Sequence, residues 1–189
     1  MPDEAKSPPV VVMAHGFGGE RAYRLPAYAE RFAENGLATF LFDYRNFGDS
    51  HGEPQNLIDP FRHCADWKSA VDFVRNRPEV DGSSLALWGT SFSGGHVIRT
   101  AAETHNVSAV ISQTPFSDGL PTTINLMRQG GFRFVANALA AGSRDGVRLL
   151  LGLDPHYVPI VETPENFGVL NTPEAKEGYQ RLVPDGEDW

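Results

Sequence analysis

Apolar and polar positions change rhythm in regular blocks between Pro9 and Phe116. "PVVVMAH", from Pro9, is a continuous β-branched run that stops at a glycine cluster, the pattern of a strand buried on both faces. Leu25, Tyr28, Ala29, Phe32 and Ala33 then fall at helical spacing, and Asn35-Gly36 supplies a C-terminal stop. "LATFLFDYR" returns to strand character and runs into the polar loop "NFGDSHGEP". Asp59 and Pro60 make an N-cap and first-turn pair. Behind them Phe61, Cys64, Trp67, Val71 and Val74 carry an apolar stripe to about Arg75, and Pro78 ends it. "SLALWG" is the next strand, ending at Trp88. "GGHVIRTAAETH" is a helix with Val97, Ile98, Ala101 and Ala102 on one face, and "VSAVISQTPF" is a fourth strand.

Strict alternation of strand and helix predicts an open, parallel α/β sheet. Right-handed crossovers then place every loop that follows a strand along one edge, where such sheets bind ligands. From Ser117 the rhythm breaks. "TTINLMRQGGFRFVANALAAGSRDGVRLLLG" reads as two or three short helices, and the remainder is Pro-rich with no further buried strand.

Composition narrows the picture. The chain has 189 residues, 41% of them hydrophobic, enough for one domain with a buried core. No stretch approaches the roughly 18 apolar residues that span a bilayer. "MPDEAKSPP" is acidic and Pro-rich, unlike a secretory signal. The lone Cys64 leaves no internal disulfide or cysteine metal site and fits a reducing, cytoplasmic setting. A net charge of −8 disfavours nucleic acid and anionic membranes as partners.

The candidate chemistry sits at the turn after "LALWG". A nucleophilic serine needs its Oγ lifted clear on a sharp strand-to-helix turn, and that crowding demands small flanking residues, hence G-x-S-x-G. Here the run is Gly89-Thr90-Ser91-Phe92-Ser93, with serine in place of the final glycine and Gly94 next. Ser93 has small flanks too. With the strand ending at Trp88, Ser91 lies on the turn, while Ser93 falls in the first helical turn. A glycine-rich turn of this kind can alternatively bind phosphate at the helix N-terminus. A second motif, "HGFGG" at residues 15–19, follows the first strand and favours the nucleophile. Glycines there let backbone N–H groups converge on an oxyanion, with the amides of Phe17 and Phe92 as the two donors. His15 is read as organising that loop.

In this order and spacing, "VVVMAHGFGGER", "FDYRNFGDSHGEP", "ALWGTSFSGGHV" and "AVISQTPFSDG" resemble the α/β-hydrolase superfamily. Within it they are similar to the dienelactone-hydrolase-like and peptidase S15-like branch that includes fungal polyketide transferases and thiohydrolases. The resemblance implies a partial α/β-hydrolase fold. Its third to sixth strands lie side by side in the order fourth, third, fifth, sixth, after a flexible stretch 1–8. The core would span 9–118, and 119–189 would be a helical cap. The first two strands would precede Pro9, and the last two, bearing the triad acid and histidine, would follow Trp189.

Candidates for those partners within the chain are few. Asp118 follows the sixth strand, where some members of the superfamily hold their acid; an Asx-type turn into "GLP" is the alternative. His156, in the cap region, is the candidate base, against a surface or structural role. His96 and His105 lie on the nucleophile helix, facing away from the site, and Asp43 and Asp49 brace the "DYRNFGDS" loop. None makes a convincing base.

The function implied is that of a serine-dependent acyl hydrolase, esterase or thioesterase, working through an acyl-enzyme on Ser91 and inactive as a chain of this length. Alternatives are a polyketide-transferase type of acyltransferase using the same serine, and a non-catalytic fragment or binding protein. The expected substrate is a small acyl ester or thioester. No cofactor, metal, nucleic acid or membrane partner is implied, and exposed sheet edges predict self-association.

Overall fold

The computed structural model describes residues 7–184; of the stretch 1–8 expected to be flexible, residues 1–6 lie outside that range. The chain divides into two compact units between Ser117 and Asp118. The first holds β1 (Pro9–Ala14), α1 (Leu25–Ala33), β2 (Ala38–Phe42), α2 (Pro60–Arg75), β3 (Asp81–Thr90), α3 (Phe92–Glu103) and β4 (Ala109–Gln113). The strands are parallel and neighbour one another in the order β2-β1-β3-β4. That is the partial α/β-hydrolase sheet the sequence implies.

Alternation along β1 assigns the two faces. Val10, Val12 and Ala14 cluster with Trp67, Val71 and Val74 of α2, Leu85 and Leu87 of β3 and Val97 of α3. Val11 and Met13 turn the other way, onto Leu25 of α1 and Trp88. Helices α2 and α3 therefore cover one face and α1 the other. Burying each such Val or Leu contributes about 1.5–3 kcal/mol, which makes β1 the axis of the unit.

Three sequence expectations shift. The buried arc of α2 is His63, Cys64, Trp67, Ala70, Val71 and Val74, while Phe61 is 72% exposed. At about 100° per residue, Phe61 lies roughly 120° from the centre of that arc, so burying Trp67 turns it out. There it lies under the Arg99 guanidinium, 5.6 Å from the ring centroid. The second shift concerns β3, which continues past Trp88 because Gly89 and Thr90 keep pairing with Ser112 and Gln113 of β4. On α3 the expected face also shifts: Val97 is buried together with Ser93, Gly94, His96 and Thr100, while Ile98 is 47% exposed. The Asp59 carboxylate accepts from the amides of Phe61 and Arg62, and Gly36 takes a left-handed φ of 76° behind α1.

The second unit contains α4 (Gly119–Leu150) and α5 (Ala175–Gln180). Gly131, with φ 65° and ψ −168°, divides α4 into two helices, in keeping with the two or three short helices expected from the sequence. Val161 and Leu170 form an isolated parallel bridge. Among the described residues no helix is long and apolar enough to cross a membrane.

Candidate active site

Strand β3 ends at Thr90 and helix α3 begins at Phe92, so the turn between them is one residue, Ser91. Its φ of 54° and ψ of −117° lie in a region that costs a non-glycine residue on the order of 1–3 kcal/mol. The neighbouring strand holds it there. The Ser91 amide donates to the Gln113 carbonyl at 2.9 Å, and the Ser91 carbonyl accepts from the Phe116 amide at 2.8 Å. Crowding explains the glycines around it. A Cβ on Gly89 would lie 2.5 Å from the Ser93 carbonyl oxygen, and one on Gly95 only 2.0 Å from that of Phe116. The position two after Ser91 is less restricted: Ser93 fits there fully buried, with its Oγ accepting from Tyr44 Oη at 2.9 Å. Ser91 itself is exposed.

The order β2-β1-β3-β4 sends the connections after β1 and β3 in opposite directions, and the carboxyl ends of strands at such a switch point are where open α/β sheets bind ligands. "HGFGG" leaves β1 at that point. A Cβ placed on Gly16 would lie 3.2 Å from Ser91 Cβ and 3.8 Å from Ser91 Oγ, so the glycine backbone passes directly against the serine. The rings of Phe17 and Phe92 meet edge to face, with centroids 5.5 Å apart. Phe92 opens α3, where a backbone N–H has no intrahelical acceptor and the helix dipole is positive. The glycine loop is anchored on its far side by Asp43. One carboxylate oxygen accepts from the Arg21 amide at 2.6 Å, and the other lies 3.4 Å from the Arg21 guanidinium, which also pairs with Asp49. Burial raises the pKa of Asp43, and these Arg21 contacts oppose the rise.

Three histidines of this unit, His15, His63 and His96, are structural in their contacts. His15 Nδ1 donates to the Gly16 carbonyl at 2.9 Å. His15, His63 and His96 are buried around Tyr44, with His63 stacked on its ring at 4.1 Å. Burial pushes the pKa of His15 down to about 3, and those of His63 and His96 to about 4, so all three are neutral near pH 7. Among the described residues no group of three or more His, Cys, Asp or Glu side chains is placed to hold a metal ion. Asp118 and His156 belong to the second unit. The Asp118 carboxylate caps α4 by accepting from the Leu120 amide at 3.0 Å, and the His156 amide donates to Asp145 at 2.7 Å. The structure thus brings Ser91, Phe17 and Phe92 together; the contacts of Asp118 and His156 lie within their own unit. Sequence reading missed His63, Tyr44 and Ser93 as a group. A signal was present for His63, one turn above Trp67 on the apolar side of α2, but its partners lie on other elements.

The profile of the family described as "Serine aminopeptidase, S33" matches residues 5–142. The quorum-quenching protein AidA of Acinetobacter baumannii is 41% identical over 180 residues, covering 95% of this chain and 58% of its own length. The thiohydrolase aneE of Aspergillus aculeatus is 40% identical over 107 residues, 57% of this chain and 34% of that protein. Among solved structures, the α/β hydrolase GrgF from a Penicillium species superposes with a TM-score of 0.73 at 28% identity, over 94% of this chain and 59% of the other. The chain spans little more than half the length of AidA and GrgF.

Proposed function

Because the chain belongs to the serine aminopeptidase S33 family of α/β hydrolases, we propose that it carries the nucleophile and oxyanion groups of a serine-dependent acyl hydrolase acting on a small ester or thioester. The observation that carries this reading is the exposed, strained Ser91 with the Gly16 backbone packed against it. In the reaction, Ser91 Oγ bonds to the acyl carbon as its proton passes to solvent water. The Phe17 and Phe92 amides hold the oxyanion, a contribution of about 10²–10³ in rate for each donor. Collapse breaks the bond to the leaving alcohol or thiol, which takes the proton, and water then releases the acid. We assign the triad acid not to Asp118, which caps a helix, and the base neither to His156 nor to any of the buried histidines. Without a base, the oxyanion donors and binding alone sustain roughly 10³–10⁴ over water. Residues 119–189 serve as the cap in this reading.

Prolonged incubation with a fluorophosphonate followed by peptide mass spectrometry tests the proposal. It predicts one adduct, on Ser91, absent from Ser91→Ala. Equal labelling of that variant would rule the nucleophile out. Acyl transfer to an alcohol shares the first half-reaction, and product analysis with and without an acceptor alcohol separates the two outcomes.

A further inference from the structure

We infer that Tyr44 is a positioning residue for the nucleophile turn, acting on it through Ser93; the inference rests on Ser91 being the nucleophile. Three side chains that are 0–1% exposed form a relay across three elements: Trp67 in α2, Tyr44 in the loop after β2, and Ser93 in α3. Trp67 Nε1 lies 2.7 Å from Tyr44 Oη, which lies 2.9 Å from Ser93 Oγ. The direction follows from proton inventory. An indole N–H can only donate, so Tyr44 Oη accepts from Trp67 and its single proton is left for Ser93. Burial raises the Tyr44 pKa above its ordinary value, which keeps that proton in place.

The phenol cannot swing away. His63 stacks on its ring at 4.1 Å, while His15 and Phe42 pack edge-on at 4.8 and 5.4 Å. The Gly89 backbone also passes close beneath Ser93, where an added Cβ would lie 2.8 Å from Ser93 Oγ. The strained Ser91 is therefore clamped on both sides, by the β3 ladder before it and by the Tyr44-held Ser93 after it. A glycine two residues after the nucleophile would fit this space but accept no hydrogen bond. The serine that departs from G-x-S-x-G is what makes the clamp possible.

The test uses Ser93→Ala, Ser93→Gly, Tyr44→Phe and the double variant Tyr44→Phe/Ser93→Ala in the full chain, read by amide hydrogen exchange and by the rate of fluorophosphonate labelling. Ser93→Ala leaves Tyr44 to accept from Trp67 and removes only the last link. We expect exchange at residues 91–94 to rise roughly tenfold with β1 and β2 unchanged, and labelling of Ser91 to slow by about the same factor. The double variant should be no worse than the more affected single one. A purely structural role would instead raise exchange across the whole first unit. Unchanged exchange at the turn in both Ser93 variants, or additive effects in the double variant, overturns the inference. Absence of labelling in the unaltered chain would count against Ser91 as nucleophile, and the exchange measurement still decides the relay.

Discussion

The two units are held together differently. In the first, every β1 residue after Pro9 is buried, and helices pack on both faces of the sheet. In the second, the 32-residue α4 buries none of its side chains, with Phe132 at 86%, Leu149 at 78% and Leu150 at 87% exposure. Tertiary burial fixes the backbone of the first unit. Local devices shape α4: the Asp118 cap at its start and the left-handed Gly131 that breaks it. The lesson concerns where strain can be kept. A residue such as Ser91 persists in an unfavourable conformation only where neighbouring structure over-determines it, and the first unit supplies that surrounding.

The largest test of this contrast is pH. His15, His63 and His96 have folded pKa values of about 3, 4 and 4 against an ordinary 6.5. Between pH 6.5 and about 4 the unfolded chain therefore binds protons that the folded first unit refuses. Stability is full above pH 6.5 and falls on acidification, by about 1.4 kcal/mol per pH unit for each imidazole and roughly 4 if all three contribute. Asp43, its pKa raised by burial, works in the opposite direction. Urea midpoints measured from pH 7 to pH 5 should drop steeply, and a flat profile would remove the dry histidine cluster from the picture.

Leu87→Ala, at a fully buried β3 position, should cost roughly 2–5 kcal/mol in denaturant unfolding. Asp59→Ala removes the acceptor for two α2 amides and should cost about 1 kcal/mol. The same Leu-to-Ala change at the exposed Leu150 should stay within about 0.5 kcal/mol. Equal losses at Leu87 and Leu150 would erase the distinction between the units.

Much of the first unit is written locally. The β-branched run of β1, the Asp59-Pro60 start of α2, the Asn35-Gly36 stop and the small-residue turn at Ser91 each rest on spacing or conformational preference within a few residues. Those signals determine element types, their order and the exposed serine between two crowded glycine positions. The tertiary structure decided how distant residues meet. Gly16 reaches Ser91 because β1 and β3 are neighbours at a point where their connections diverge. Phe61 faces outward because the phase of α2 is set by burying Trp67. Tyr44 meets Ser93 across 49 positions of sequence because the crossover from β2 through α2 to β3 brings a loop and a helix start together beneath the turn. Periodicity encodes which face of an element is apolar; it carries no information about which face of another element will cover it, and that partner supplies the contacts of the site.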